Sequence, residues 1–353
     1  MAAELEYSGV AGNPIHGVVQ LDDALSKPTD ELIEAMRLLE GDVIILGAGG
    51  KMGPSLTRMM RRALDAAGDV RRVIAVSRFS SAGLATQLSA SGAEVISGDL
   101  LDANFIRSLP PARNVLYLAG MKFGAGNDAG LTWASNTYLA GLVADHFRAS
   151  RIVALSTGNV YGMQPVDAGH GSLESDPTVP VGEYAMSAVG RERVFEYFSR
   201  AHGIPTALIR LNYATELRYG ILVDLAQKIY RGEPVSLSMG FFNAIWQRDA
   251  CEMILRSFLH ASSAPLILNV TGLDRLSCRE VCQRFGELFD REVRFTDAES
   301  STALLSDARL AARMFGPPRT PIDDMIAWTS DWIARGGETL NKPTRFEVRD
   351  GKY

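Results

Sequence analysis

Short apolar runs alternate with helix-spaced apolar stripes along most of the chain. Seven mainly apolar runs predict strands, at 43–46, 73–76, 93–96, 115–119, 152–156, 206–211 and 266–270. Apolar residues spaced three and four apart predict helices between them, near 54–67, 81–91, 130–149 and 183–201. Strands of this composition are typically buried on both faces, as in a parallel sheet. The alternation therefore predicts an α/β fold with a doubly wound, parallel Rossmann sheet.

A glycine-rich turn, GAGGKMG at 47–53, follows the first predicted strand directly. Glycines let such a turn bend tightly and let backbone N–H groups approach a pyrophosphate, while the next helix directs its positive N-terminus at the phosphates. Because a strand precedes the turn and a helix follows it, we predict a dinucleotide site rather than an ordinary loop. The residues expected to contact the cofactor here are Gly47, Gly50, Lys51, Met52 and Gly53.

The residues after the second and third strands indicate which dinucleotide binds. Ser77 and Arg78 stand where an Asp or Glu typically holds the ribose of NAD. A carboxylate there would repel a 2′-phosphate, whereas an arginine would pair with it, so the expected cofactor is NADP, with NAD as the alternative. The alternative interpretation of Arg78 is that it is an exposed surface arginine that binds no ligand. Asp99 and Leu100 are expected to contact the adenine, although Asp99 could equally cap a turn.

Composition and charge narrow the range of partners. The 353 residues include 36 basic and 41 acidic side chains, and no basic block stands out, so nucleic acid is not an expected partner. No apolar run approaches the roughly 18 residues of a membrane span. The five histidines lack ligand spacing, so no metal is expected. Cys251, Cys278 and Cys282 are expected to be small buried residues in a reducing, cytoplasmic compartment.

Further motifs follow the glycine turn in a recognisable order. They are Asp99-Leu100, Leu118-Ala119-Gly120 after the fourth strand, Asn136, the stretch from Ser156 to Gly162, Tyr184, and Arg210-Leu211-Asn212. Together these motifs resemble the extended short-chain dehydrogenase/reductase family, which contains NAD(P)-dependent epimerases and dehydratases, over roughly 41–335. The resemblance implies that Leu118, Ala119 and Gly120 contact the cofactor and that Asn136 is a structural asparagine.

The resemblance also implies a catalytic pair, Thr157 and Tyr184. Thr157 would stabilise charge on the reacting oxygen and Tyr184 would exchange a proton with it. The family pattern YxxxK is broken, because Ala188 stands where the lysine normally holds the nicotinamide ribose and lowers the tyrosine pKa. Ionising an unaided tyrosine at pH 7 costs about 4 kcal/mol. Arg191, Lys122 and the positive nicotinamide ring are the candidate substitutes for the missing charge.

A second departure concerns the substrate. Phe242 stands where family members that use nucleotide-linked sugars often carry an arginine for the diphosphate. The expected activity is therefore an NAD(P)-dependent oxidoreductase or epimerase that acts on a small sugar-like or sugar-acid substrate. The alternatives are a catalytically impaired NADP-binding sensor and a nucleotide-sugar epimerase or dehydratase. The residues expected to contact the substrate are Lys122, Asn159, Asn212, Tyr213 and Trp246.

Pattern and resemblance together predict how the chain is divided. The helix predicted after Pro28 and Thr29 belongs to an extension that the family normally lacks. The expected parts are an N-terminal extension with one helix (1–40), a dinucleotide-binding domain (41–212, completed by 246–272), a smaller α/β substrate-binding cap (213–245 and 273–340) and a polar surface tail (341–353). The helices at 130–149 and 183–201 correspond to the family's dimer-forming pair, so the resemblance implies a homodimer.

Overall fold

A computed structural model of the chain describes residues 14–122, 124–125 and 127–352. The first 13 residues of the predicted extension and the last residue of the predicted tail lie outside the described residues. Among the described residues, no helix combines the length and the apolar character needed to cross a bilayer.

The centre of the molecule is a seven-stranded sheet. Its strands are β1 (Val43–Leu46), β2 (Val73–Ser77), β3 (Glu94–Ser97), β4 (Asn114–Tyr117), β5 (Arg151–Thr157), β6 (Thr206–Leu211) and β7 (Leu266–Val270). All pairs are parallel, in the order β7-β6-β5-β4-β1-β2-β3, and Val43 lies opposite both Val73 and Asn114. Because the strand order reverses at β1, the carboxyl ends of β1 and β4 diverge there and leave a crevice for a ligand. The predicted doubly wound sheet is confirmed.

Thirteen α-helices are described around and beyond this sheet. They are α1 (Val18–Ser26), α2 (Asp30–Leu38), α3 (Gly53–Ala66), α4 (Leu84–Ala90), α5 (Ala103–Ser108), α6 (Ala129–Trp133), α7 (Leu139–His146), α8 (Gly182–His202), α9 (Ile221–Tyr230), α10 (Gln247–Arg256), α11 (Cys278–Phe289), α12 (Arg309–Phe315) and α13 (Ile322–Ala334). Short 3-10 turns lie at Gly158–Val160 and Ser257–His260.

Alternate residues of each central strand face opposite helical layers. In β1, Val43 and Ile45 pack with α3 and α10, whereas Ile44 and Leu46 pack with α5, α7 and α8. All four side chains are fully buried. A third apolar core lies beyond the sheet, around α9, α11 and α13. Eight two-residue strands pair within these outer segments and loops: Gln164–Pro165, Ala214–Thr215, Val235–Ser236, Phe241–Phe242, Ile245–Trp246, Leu276–Ser277, Phe295–Thr296 and Thr302–Ala303.

The helix predicted near 130–149 is divided into three pieces. One turn of π-helix, Ala134–Tyr138, separates α6 from α7. Asn136 lies in this turn, and its side-chain amide bonds both backbone groups of Met121 and the Ser187 hydroxyl, over 2.8 to 2.9 Å. This asparagine therefore fixes the loop after β4 to helix α8, as expected of a structural residue.

The N-terminal extension contains two helices, so the prediction of one helix was wrong. Thr29 caps α2 as predicted, since its hydroxyl accepts from the Leu32 N–H over 3.2 Å. The additional helix α1 buries Leu21 and Leu25 completely. Those side chains join the third core, and Asp22 binds arginines of α3 and of the loop before α9. Contacts made far along the chain stabilise α1, which explains why its local pattern is weak.

The polar tail was expected on the surface, and this expectation was wrong for its central part. Thr344 and Phe346 are both only 3% exposed. Phe346 enters the third core, with its ring centroid 6.3 Å from that of Phe242. A single apolar side chain and a few backbone hydrogen bonds are enough to fix a polar segment against the protein.

Candidate functional site

The turn between β1 and α3 is a cradle of bare backbone. Gly47 has φ +94°, and a Cβ atom on Gly53 would lie 2.3 Å from the Ala48 carbonyl oxygen. A Cβ atom on Gly49 would lie 2.6 Å from Ser77 Oγ. Side chains are therefore excluded at these positions, and the chain passes close to itself at the N-terminus of α3. Such a turn fits the pyrophosphate of a dinucleotide, which binds backbone N–H groups and a helix N-terminus.

A cleft of about 410 Å³ leads away from this turn along β2, β3 and β4. Predicted cofactor residues line it together: Gly47, Gly50, Ser77, Arg78, Asp99, Leu100, Leu118, Ala119 and Gly120. Arg78 is exposed at the end of β2, where it can reach a ligand. Asp99 also caps its own turn, because Oδ1 accepts from the Leu101 N–H over 3.0 Å. The cleft has the location expected for the adenosine end of a dinucleotide.

A second cavity, of about 380 Å³, begins at the same glycine turn and extends towards the third core. Predicted residues on its wall are Lys51, Met52, Gly53, Lys122, Thr157, Asn159, Asn212 and Tyr213. Sequence reasoning missed others, namely Tyr219, Gly220, Ile221, Gln247 and Thr344. Gly220 directly precedes α9, a helix-start signal that could have identified 219–221, whereas nothing local marks Thr344.

Thr157 and Asn212 present polar groups inside this cavity. Thr157 ends β5, where its hydroxyl donates to Asn159 Oδ1 over 3.0 Å and accepts from the Asn159 N–H over 3.2 Å. Asn212, only 3% exposed, follows β6, and its Nδ2 is buried without a hydrogen-bond partner among the described residues. A buried amide without an acceptor is unfavourable, so a rotation of the Asn212 side chain that turns this N–H into the cavity would let it bind a ligand oxygen.

Tyr184 lies in the first turn of α8, is half-buried and is not among the residues that line either cavity. It lies near Lys122, which lines both cavities. The Lys122 ammonium is 5.8 Å from the centroid of the Tyr184 ring. Ala188, one turn along α8, is fully buried against Val160 and Tyr161. The space that a lysine would need at position 188 is therefore occupied by packed side chains.

Two lysines give this cavity its charge. Burial, together with the nearby Lys122 charge, lowers the pKa of Lys51 to about 7. Burial likewise lowers the pKa of Lys122 to about 8, although Asp224 opposes the shift. The Lys51 ammonium lies 3.3 Å from the centroid of the Tyr219 ring, which provides a cation–π contact. An anionic ligand would relieve the cost of holding both ammonium groups in one cavity.

The buried Arg191 lies on the cofactor side of α8. Its Nη1 donates to the Ala119 carbonyl over 3.2 Å, and a Cβ atom on Gly120 would lie 2.8 Å from that nitrogen. Its Nε has no hydrogen-bond partner among the described residues. Of the candidate substitutes for the missing lysine, Lys122 adjoins the tyrosine and Arg191 supports the loop after β4.

Trp246 does not belong to the site. Its side chain is 3% exposed, lies in the third core and packs against Trp328 at 5.4 Å between ring centroids. The expectation that it contacts substrate is corrected, because the residue precedes α10 with its ring directed into apolar packing. Cys251, Cys278 and Cys282 are buried free thiols, as expected. No cluster of three potential metal ligands was found within the described ranges.

Solved structures with the same architecture come from nucleotide-sugar enzymes. The UDP-glucose 4-epimerase of Thermus thermophilus, in complex with NAD, superimposes with a TM-score of 0.67 at 18% identity, covering 82% of this chain and 98% of its own. The UDP-glucuronic acid 4-epimerase of Bacillus cereus, with UDP-glucuronic acid and NAD, gives 0.68 at 15%, covering 83% and 99%. The dTDP-glucose 4,6-dehydratase of Bacillus anthracis, with NAD, gives 0.69 at 12%, covering 83% and 96%. These likenesses show the fold.

Sequence comparison agrees with the fold. A trifunctional UDP-glucose 4,6-dehydratase, UDP-4-keto-6-deoxy-D-glucose 3,5-epimerase and UDP-4-keto-L-rhamnose reductase of Arabidopsis thaliana is 23% identical over 201 residues, which are 53% of this chain and 30% of the relative. The chain therefore matches under a third of that protein's length. The model of the NAD dependent epimerase/dehydratase family matches residues 43–237, more than half of the chain. The chain belongs to the NAD-dependent epimerase/dehydratase family.

Proposed function

We propose that this protein is an NAD(P)-dependent oxidoreductase or epimerase that acts on a small sugar-like or sugar-acid substrate. The observation that carries the proposal is the continuity of the glycine cradle with the cavity that holds Thr157 and Lys122. A dinucleotide in the cradle would place its reactive end beside these groups. When bound, the nicotinamide supplies the hydride acceptor or donor.

The chain's own residues handle the proton and orient the substrate. The Tyr184 phenol exchanges a proton with the reacting substrate oxygen, and the Thr157 hydroxyl donates a hydrogen bond to that oxygen. The free Nδ2 of Asn212 binds a second substrate oxygen. Lys122, 5.8 Å from the Tyr184 ring, supplies positive charge in place of the absent lysine at 188.

NADP is the proposed cofactor, although the names of the matched structures give NAD. The support is Arg78, which lines the adenosine cleft next to Ser77 where no carboxylate is present. Titration of the protein with NADPH and NADH, monitored by nicotinamide fluorescence, tests this assignment. In Arg78→Ala, NADPH affinity should fall about tenfold or more, since charge-assisted hydrogen bonds are lost. NADH affinity should stay within about twofold, and Arg107→Ala, at an exposed arginine of α5, is the matched control.

A nucleotide-sugar epimerase or dehydratase is the alternative function, because the matched enzymes are named for such substrates. Phe242 argues against it. Its side chain is fully buried in the third core, where it offers no charge to a diphosphate. A binding protein without catalysis is the other alternative, favoured by the filled space around Ala188. Detection of hydride transfer to or from the bound cofactor would distinguish both enzymatic functions from a binding protein without catalysis.

A further inference from the structure

The C-terminal segment, residues 338–351, is attached along its length to the third core and to α8. Trp332 Nε1 donates to the Glu338 carbonyl over 2.9 Å, and the Leu340 N–H donates to the Arg218 carbonyl over 2.9 Å. Arg349 Nη1 donates to the carbonyls of Ser238 and Thr302, over 3.1 and 2.9 Å. Several bonds of this kind fix a segment that its polar composition would leave mobile.

The central attachment is a pair formed by Thr344 and Asp224. Asp224 Oδ2 accepts from both the N–H and the hydroxyl of Thr344, over 2.7 and 2.6 Å. Burial raises the pKa of this α9 carboxyl, and the two Thr344 bonds act in the opposite direction. A buried carboxylate needs such donors, so the pair holds the segment firmly against α9.

Thr344 also borders the cavity. Thr344 lines the cavity wall, and its carbonyl accepts from the neighbouring Lys122 ammonium over 3.5 Å. The far end of the segment meets the start of α8, which carries Tyr184. Gly351 and Gly182 pack backbone to backbone there, since a Cβ atom on Gly182 would lie 2.5 Å from the Gly351 carbonyl oxygen. The segment thus extends from the third core to helix α8.

We propose that residues 338–351 determine substrate size: they form a fixed wall across the cavity, with Thr344 against the substrate, that admits a monosaccharide-sized compound and excludes a nucleotide-linked sugar. The matched nucleotide-sugar enzymes align over 96–99% of their own chains but only 82–83% of this one, so about a sixth of this chain is additional to the shared fold. This inference rests on the proposed function, because the molecule that the wall admits is a substrate only if the protein is an enzyme. The position of the wall can be tested without cofactor or substrate.

Amine labelling of Lys122 with two reagents of different size tests the wall. Cyanate is small, whereas the succinimidyl ester of biotin is bulky, and both react with the neutral amine that Lys122 forms near pH 8, its pKa being about 8. Peptide mass spectrometry gives the rate at each lysine. In the wild-type protein, cyanate should modify Lys122 and the bulky ester should not, while the exposed Lys342 reacts with both.

Opening the wall should remove this size discrimination. In Asp224→Ala, the bulky ester should modify Lys122 about tenfold faster or more, because both Thr344 bonds are lost. Asp224→Asn keeps an acceptor and should retain the wild-type ratio of the bulky to the cyanate rate, while loss of the Asp224 charge lowers the Lys122 pKa and speeds both reactions. A chain ending at Pro343, which lacks Thr344 but keeps Lys342, provides a second opened variant if Asp224→Ala does not fold. The proposal is overturned if both reagents reach Lys122 equally in wild type, or if neither opened variant changes the bulky rate. Failure of NADPH binding would refute the proposed function and leave this outcome intact.

Discussion

Ala188 is the residue at which this chain departs most from the pattern of its other motifs. The departure is structural as well as chemical, because its methyl group is enclosed by Val160 and Tyr161. Positive charge is instead supplied from two loops, by Lys51 after β1 and by Lys122 after β4. A charge held on a loop acts on the cavity as a whole rather than on one turn of α8.

Restoring the family's lysine should therefore destabilise the protein. Ala188→Lys places a longer, charged side chain in a fully buried position and should cost about 1–3 kcal/mol of unfolding free energy. Urea denaturation measures this change. Ala201→Lys, at an exposed position near the end of α8, is the matched control and should change stability by less than about 0.5 kcal/mol. An Ala188→Lys protein as stable as wild type would show that the space is not filled.

Lys51 should make stability depend on pH. Its pKa is lowered to about 7 in the folded protein, against about 10.4 for an ordinary lysine. Between these values the unfolded chain binds more protons, so stability rises as pH increases from about 7 towards 10. Lys51→Gln should flatten this rise in urea denaturation series, whereas Lys27→Gln, at an exposed lysine that does not contribute to the Lys51 shift, should keep it. An unchanged slope in Lys51→Gln would contradict the burial of its ammonium group.

At the scale of elements, helix α8 is fixed to the sheet by a buried ion pair. Arg210 of β6 donates from Nε and Nη2 to the two Glu192 oxygens, over 3.1 and 2.8 Å, and both side chains are 3% exposed. Arg210 Nη1 also donates to the Tyr161 hydroxyl, which donates in turn to Asn269 Oδ1. The arginine of the Arg210-Leu211-Asn212 motif thus joins β6, α8 and β7, while Asn212 faces the cavity.

Removing one partner of this pair should be costly. Glu192→Gln leaves the guanidinium buried without its counter-charge and should lower the unfolding free energy by about 3–5 kcal/mol. Glu196→Gln, on the same helix, removes a more exposed carboxylate that pairs with Arg193 and Arg200 and should cost at most about 1 kcal/mol. Thermal and urea unfolding of both variants provide the comparison. Equal losses in the two would indicate that burial does not strengthen the Glu192 pair.

The sheet and the glycine turn could be predicted because local sequence determines them. An apolar run is buried wherever it lies, and Gly53 is required by a close backbone approach to Ala48 within the same turn. The wall of the cavity could not be predicted in this way. Thr344 meets Asp224 across 120 residues of chain, and α1 is stabilised by a core formed far along the chain. Trp246 is the opposite case. The sequence predicted it near the substrate, but its ring packs into the third core.

At the scale of the whole molecule, the exposed apolar side chains indicate a partner. Leu131, Trp133, Tyr138, Met186 and Tyr197 are 36–64% exposed and lie on α6, the π-helical turn and α8. Exposed apolar residues grouped on neighbouring elements are typical of interfaces. The homodimer implied by the resemblance is therefore our proposal, with this helical face, repeated by a two-fold axis, as its interface.

Charge placed on that face should separate the subunits. Tyr138→Glu with Tyr197→Glu should convert the dimer to a monomer, measured by light scattering after size-exclusion chromatography. Val70→Glu, at a 97% exposed position in the loop between α3 and β2, is the control and should remain dimeric. A wild-type protein that is monomeric at micromolar concentration would refute the proposal.

Hydride transfer tests the central claim most directly. The protein is mixed with NADP⁺ and, separately, NADPH in the presence of monosaccharides, sugar acids, their lactones and nucleotide sugars. The absorbance of the reduced nicotinamide and the identity of the sugar product are both followed, because an epimerase returns the hydride to its substrate and leaves no net change in absorbance. We expect a change with a small sugar or sugar acid that falls by about 10²–10⁴ in Tyr184→Phe while cofactor affinity is retained. Cofactor that binds tightly while no compound is oxidised, reduced or epimerised, or a Tyr184→Phe protein as active as wild type, would contradict the account.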